Sequence, residues 1–311
     1  MEFVTLEEIQ AARARIEHAA VYTPLLELES GLLLKCENLQ PMGAFKIRGA
    51  FNMISQLSPE QLQRGVITYS SGNHGQAVAL AARTLGAPAV IVMPTTAPAV
   101  KVDGCKGYGA EVIMAGTTSL DRQARAEKEA RERGLTIVPP FDHRLIIVGQ
   151  GTTGLEILEQ CPDVGTVFVP AGGGGLVSGV ATAIKLSNPS VRIVAVEPAG
   201  APKVSRSLEA GHPVTLESSA SIADGLMNLR PGDITFAHIQ KYVDEVVTVG
   251  DADIASAVAW LFRNARIVAE PSGAITTAAV HLGLGHPTGK VVAIVTGGNV
   301  APEKFAKYIS G

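Results

Sequence analysis

The sequence predicts an α/β protein built on two open, mainly parallel, twisted sheets with helices on both faces. Three observations predict it. Short apolar, β-branched runs alternate with longer stretches that are apolar at helical spacing, the pattern of strands covered by helices. Glycine makes up 33 of 311 residues, above a usual share of roughly 7%, and much of it clusters just after the apolar runs. A length of 311 residues suits two modest cores better than one, because single cores stop growing near this size.

Thr5, Leu6, Glu7 and Glu8 have capping-box spacing, with Thr5 placed to cap and Glu8 to reach back. Leu6, Ile9, Ala12 and Ile16 then recur at helical spacing. After Pro24 come short apolar runs that include Leu32, Leu33 and Leu34. Strands are predicted over 66–69, 89–93 (stopped by Pro94), 111–114 and, briefly, 137–138. Helices are predicted over 75–85, closed by Gly86, and 121–133, ended by Gly134. The second half repeats the grammar, with strands at 167–169, 192–197 and 291–296 and helices at 176–186, 251–265 and 273–284. Pro139 and Pro140 open a seam, residues 139–149, between two α/β units.

Composition excludes several functions. With 46% hydrophobic and 18% charged residues the chain is globular. A net charge of −3 without blocks of like charge predicts neither a nucleic-acid partner nor an anionic membrane partner. Cys36, Cys105 and Cys161 are odd in number and widely spaced, which fits a reducing compartment and gives no disulfide framework or zinc site. The N-terminus lacks the basic and apolar regions of a signal peptide. Residues 164–184 carry no charge and are long enough to cross a bilayer, but Pro170 and Gly172 to Gly175 in their middle would break a membrane helix. A strand, a tight loop and a helix are expected there, in a soluble, cytoplasmic protein.

Ligands of open parallel sheets bind beyond the carboxyl ends of the strands, so the loops there are the candidates. Ser70, Ser71, Gly72, Asn73, His74 and Gly75 expose N–H groups where a helix begins, which suits a carboxylate or phosphate; an ordinary capped turn is the alternative. Gly172, Gly173, Gly174 and Gly175 also lie between strand and helix. Four consecutive glycines imply close approach by a ligand, and the place suits a phosphate. The spacing is neither a dinucleotide fingerprint nor a P-loop, which argues against a nicotinamide-dependent oxidoreductase. Thr296, with Gly297, Gly298 and Asn299, ends the last strand; its hydroxyl either serves a ligand heteroatom or caps its own backbone. Lys46, between Phe45 and Ile47, is either a desolvated amine able to form a Schiff base or a solvated surface residue.

Seven segments, in order along nearly the whole chain, carry a resemblance: 40–50, 70–76, Gly149-Gln150-Gly151-Thr152, 172–176, Ala223-Asp224-Gly225, Glu270-Pro271-Ser272-Gly273 and 296–299. The chain thereby resembles the serine/threonine dehydratase and serine racemase family of fold-type II pyridoxal phosphate (PLP) enzymes, whose fold is like that of tryptophan synthase β. The resemblance implies that Lys46 holds PLP covalently and later acts as base. It implies that Gly172, Gly173, Gly174, Gly175 and Leu176 bind the phosphate, that Asn73 meets the ring hydroxyl, and that Thr296 faces the pyridine nitrogen. Phe45, Gly225 and Glu270 complete the cofactor site. Ser70, Ser71, Gly72, Asn73 and His74 would take the carboxylate of a small amino-acid substrate, with Ser71 facing the cofactor opposite Lys46. Arg122 aligns with a carboxylate-binding arginine of serine racemases, or is a solvated helix charge.

The implied reaction is conversion of L-threonine, L-serine or a related β-hydroxy amino acid to a 2-oxo acid and ammonia. The alternative is a serine racemase with side dehydratase activity. The implied organisation is a large PLP-binding domain of residues 1–52 and 144–311 and a small mobile α/β domain of residues 53–143, in a homodimer or higher homo-oligomer. Three positions depart from the pattern. Ala44 replaces a common serine, and His143-Arg144 replace Asp-Pro. Metal-dependent members bind Mg²⁺ through the glutamate at Glu197, a backbone carbonyl and an aspartate at position 203. Here that position is Lys203, so no metal is expected and the ammonium would take the ion's place, unless it points to solvent.

Overall fold

The structure, a computed structural model, describes residues 2–70, 72–97 and 99–310. It is α/β, with two mainly parallel sheets as the sequence predicts. Helix α1 (Leu6–Ile16) starts at the predicted capping box, with Thr5 and Glu8 bonded reciprocally. Strands β1 (Leu25–Glu27) and β2 (Leu32–Lys35) form an antiparallel edge hairpin. There follow α2 (Lys46–Ile54), α3 (Pro59–Arg64), β3 (Val66–Tyr69), α4 (Asn73–Thr84), β4 (Ala89–Met93), α5 (Ala99–Gly107), β5 (Glu111–Met114), α6 (Ser119–Arg133) and β6 (Thr136–Ile137). Helix α7 (Arg144–Gln160) leads to β7 (Val164–Pro170), α8 (Gly175–Ser187), β8 (Arg192–Pro198), α9 (Lys203–Ala210) and α10 (Asp233–Tyr242). The chain closes with β9 (Glu245–Val249), α11 (Asp251–Trp260), α12 (Pro271–His281), β10 (Lys290–Ile294) and α13 (Pro302–Ile309).

Among the described residues one sheet runs β1-β2-β10-β7-β8-β9, parallel except for β1, and the other runs β5-β4-β3-β6, all parallel. Both orders reverse once. From β7 the large sheet grows outward through β8 and β9, then returns to place β10 on the other side. From β3 the small sheet grows through β4 and β5, then returns to place β6. Crevices open where strand order reverses, here between β7 and β10 and between β3 and β6. The four loops leaving those strands, together with the start of α2, build the candidate site.

The uncharged stretch 164–184 divides into β7, a glycine turn and α8, as expected. No helix of the described residues is long and apolar enough to cross a membrane. The expected helix 251–265 is α11 followed by a π turn, Leu261–Ala265. Within the region 139–149, residues 144–149 form the first turns of α7, a helix the sequence reading did not include. Glycines at 149, 151 and 154 masked the helical pattern there, and packing explains them. A side chain at Gly149 would strike the Arg48 carbonyl at 2.6 Å, and one at Gly154 the Val180 carbonyl at 2.9 Å. The glycines let α7 lie directly against α2 and α8, which offsets their poor helix propensity.

Candidate active site

Lys46 is the first residue of α2, and the residues before it are tied to the loop after β10. The Phe45 N–H donates to the Thr296 carbonyl at 3.1 Å, the Gly298 N–H donates to the Gly43 carbonyl at 2.9 Å, and Ala44 bridges to Gly297. Gly43 has φ +77°, and a Cβ there would lie 2.4 Å from Asn299 Oδ1, so only glycine fits. Lys46 Nζ points to the other side of the crevice and donates to the Pro140 carbonyl at 2.8 Å, 5.1 Å from the Phe45 ring centre. Burial pushes its pKa down to about 8, because desolvation disfavours an ammonium. The sequence alternative of a solvated lysine does not hold.

Next to Pro140 stands Phe141, whose ring presses on the glycine turn after β7. A Cβ at Gly173 would come within 2.3 Å of that ring, and one at Gly172 within 3.0 Å of Asn228 Oδ1. Gly174 has φ +100° and Thr235 at 2.8 Å. Gly173 and Gly174 are therefore required by protein neighbours and Gly172 and Gly175 are tightly packed, where the sequence reading invoked a ligand alone. The Gly173 carbonyl is taken by Thr235 Oγ1 at 2.7 Å. Among the described residues nothing accepts from the N–H groups of Gly172, Gly173 and Gly174. Those buried donors stand at the N-terminus of α8, an anion site. Leu176 has its side chain in the core and can offer only main chain. Gly225 flanks the turn; its N–H donates to Ser272 Oγ at 2.9 Å, and its carbonyl lies 3.1 Å from where a Gly172 side chain would start.

Asn73 opens α4 at the end of β3. Its amide donates to Glu270 Oε1 at 2.6 Å, and its oxygen accepts from Asn299 Nδ2 at 2.8 Å. Asn299 also donates to the Met42 carbonyl at 2.9 Å, next to the segment that carries Lys46. Desolvation, aided by the Asp224 charge, raises the Glu270 pKa to about 8, which keeps this buried carboxyl neutral at neutral pH. Thr296 is buried, and its hydroxyl donates to the Ser272 carbonyl at 3.3 Å.

Of the substrate-loop candidates, Ser70 Oγ accepts from the Gly72 N–H at 3.3 Å, and Gly72 starts α4. Ser71 lies outside the described residues. The His74 ring turns inward to the Val138 carbonyl at 3.0 Å, and burial followed by the Lys46 charge depresses its pKa to about 3. Its side chain is a fixed neutral donor, leaving only its main chain for a substrate. Arg122 stands half-buried on α6. Sequence reasoning missed Pro140 and Phe141 as members of this group, and it named Asn299 in the loop after the last strand without giving it a role. The first two sit at the end of a strand, which is where the switch-point rule looks.

These residues fit PLP. A desolvated amine can form the Schiff base, unpaired N–H groups at a helix start suit the phosphate, and a neutral buried hydroxyl can meet a ring nitrogen. Comparison with known proteins agrees. Residues 16–297 match the family described as pyridoxal-phosphate dependent enzyme. The chain is 43% identical to an L-threonine ammonia-lyase of Thermotoga maritima, over 99% of this chain and 78% of that protein. It is 42% identical to a serine racemase of Oryza sativa subsp. indica, over 95% and 91%. The structure of maize serine racemase superposes with a TM-score of 0.95 at 40% identity, covering 99% of this chain and 98% of that one. The chain belongs to the fold-type II pyridoxal-phosphate-dependent enzymes, in the group of threonine deaminases and serine racemases, and its cofactor is pyridoxal 5'-phosphate.

Proposed function

We propose that this enzyme is an ammonia-lyase that converts L-threonine, L-serine or a related β-hydroxy amino acid to a 2-oxo acid and ammonia. The observation that carries the reading is the desolvated Lys46 amine, held between the Thr296 strap and the Pro140 carbonyl beside the glycine turn. When bound, PLP supplies the electron sink for charge developing at the substrate Cα. Lys46 would hold the cofactor through its amine, and the same amine, when free, would be the base that takes the α-proton. The N–H groups of Gly172, Gly173, Gly174 and Gly175 would hold the phosphate. Asn73, oriented by Glu270 and Asn299, would meet the ring hydroxyl. The main chain of residues 70–74 receives the substrate carboxylate. Thr296 is uncharged and cannot keep the ring nitrogen protonated as a carboxylate would. An uncharged group there would favour elimination, in which the β-hydroxyl leaves with one proton as water and uptake of one water then yields the 2-oxo acid and ammonia.

The identity to the rice serine racemase favours a second reading, racemisation, with Ser71 as the second acid–base group that the family resemblance implies. The test is 2-oxo acid release across threonine, serine, 3-hydroxyaspartate and phenylserine, with Lys46→Ala as control and chiral analysis of residual serine. Release that depends on Lys46 supports the lyase. Unchanged turnover in the control refutes the assignment, and rapid appearance of D-serine favours the racemase. The proposal includes residues 53–143 moving as a small domain in a cytoplasmic homodimer or higher homo-oligomer. The contiguous four-stranded sheet supports the first part, and the exposed Tyr22, Leu39 and Val268 support the second.

A further inference from the structure

Lys203 is the first residue of α9, yet its side chain is fully buried at 0% exposure. Its ammonium has three oxygen neighbours. It donates to the Ala171 carbonyl at 2.7 Å and the Ala201 carbonyl at 3.2 Å, and lies 3.4 Å from Glu197 Oε2. Glu197, also fully buried, is held in place by the N–H groups of Val204 and Ser205 at 2.9 and 2.8 Å and by Ser205 Oγ at 2.6 Å. Each oxygen comes from a different segment. Ala171 is the residue between β7 and the glycine turn, Glu197 lies at the end of β8, and Ala201 is in the bend before α9.

A buried charge persists only when it is paired and fully hydrogen-bonded, and three acceptors match the three donors of an ammonium. Two carbonyls and a carboxylate are also the donor set of a hard cation. A Mg²⁺ ion does not fit here, because the centre of the cage is filled by a cationic side chain of the same chain.

We propose that Lys203 is a built-in cation that fixes the start of the glycine turn, so that cofactor binding needs no free metal ion. The Ala171 carbonyl is pinned on one side by Lys203 and the Gly173 carbonyl on the other by Thr235. Among the described residues nothing accepts from the intervening N–H groups of Gly172 and Gly173, which leaves them for an anion. The inference concerns the phosphate cradle and holds whichever reaction the enzyme catalyses.

Two experiments test it. First, the holoenzyme is dialysed against EDTA, and Tm and the PLP Kd of the stripped protein are measured before and after Mg²⁺ is added. No change is expected; loss on EDTA with recovery on Mg²⁺ overturns the proposal. Second, PLP Kd and Tm are measured for Lys203→Met, which keeps the volume but removes the charge, and for Lys203→Ala, which opens the cage. Expected are a PLP Kd raised about tenfold or more in both and recovery of Lys203→Ala by ammonium or methylammonium but not by tetramethylammonium. Wild-type PLP affinity in Lys203→Met assigns the residue to packing alone and overturns the proposal. If Lys203→Ala does not fold, the EDTA result and Lys203→Met decide.

Discussion

The side-chain amide of Asn73 donates to the Glu270 carboxyl at 2.6 Å, joining a helix of the four-stranded sheet to one of the six-stranded sheet. The bond has a pH signature. The native Glu270 carboxyl keeps its proton up to about pH 8, whereas an unfolded chain releases it near about 4.3. Between those values the native state binds more protons, so stability from this group is full below the unfolded pKa and falls as pH rises through the native one. Glu270→Gln keeps an acceptor for Asn73 and cannot titrate. Calorimetry of the cofactor-free protein is expected to show its Tm gaining on the wild type steadily from acid to mildly alkaline pH. Parallel profiles would show that Glu270 is ionised throughout.

Arg48, two residues after Lys46, faces the opposite way into a buried ion network. It is 1% exposed, forks onto both oxygens of Glu37 at 2.7 Å and bonds Glu156 at 2.7 and 2.9 Å, while Lys35 bonds Glu156 at 2.5 Å. Arg48→Met would leave two buried carboxylates facing one lysine. Breaking such a network by removing one partner costs about 3–5 kcal/mol. Urea unfolding should therefore show a large drop in midpoint at unchanged slope, and a loss under about 1 kcal/mol would mean that water replaces the guanidinium.

That network marks what the sequence could not reveal. Strands β4 and β5 were readable to the residue because each is a short apolar run bounded by glycine, proline or alanine. Lys35, Glu37, Arg48 and Glu156 are ordinary charges one by one, and Lys35 and Glu156 are 121 positions apart. Only the fold makes them neighbours. Helix α7 was hidden because its glycines serve packing between helices, which is invisible until the partners α2 and α8 are in place. In the site, Asn73, the glycine turn and Thr296 sit in recognisable strand-end segments, and Lys46 sits in the segment 40–50 that carries the family resemblance. Phe141 and Pro140 carry no local mark of their contact with Gly173 and Lys46.

Gly174 combines φ +100° with Thr235 only 2.8 Å from where a side chain would begin. Gly174→Ala must strain the backbone by about 1–3 kcal/mol and displace Thr235, the donor that fixes Gly173. The expected result is a PLP Kd raised about tenfold to a hundredfold, read by titration of the stripped enzyme, with Tm lowered even without cofactor. An unaltered Kd would place the phosphate elsewhere.

Lys101 on α5 reaches across to Asp224 at 2.7 Å, beside Gly225 and the glycine turn, and its ammonium lies 3.9 Å from where a side chain at Gly72 would start. The pair spans the two sheets over the crevice and is partly exposed, so it contributes modestly and is screened by salt. Lys101→Ala is expected to raise KM about fivefold at low salt with kcat little changed. The difference should vanish at high salt, and a salt-independent effect would mean that Lys101 contacts the substrate itself.

The depressed pKa of Lys46 governs how the enzyme acquires its cofactor. Only the free amine attacks the PLP aldehyde, and burial brings the amine's pKa to about 8. An exposed lysine would titrate at roughly 10.4. Because a lowered pKa enlarges the neutral fraction at a given pH, attachment to the stripped protein should already be rapid near neutrality. Stopped-flow absorbance should show the rate rising about tenfold per pH unit on the acid side and levelling off through a midpoint near 8. Lys46→Ala should show no slow covalent phase at any pH. A wild-type rate that keeps climbing to roughly pH 10 would mean that the amine is hydrated before the cofactor arrives, so that burial by the protein alone does not activate it.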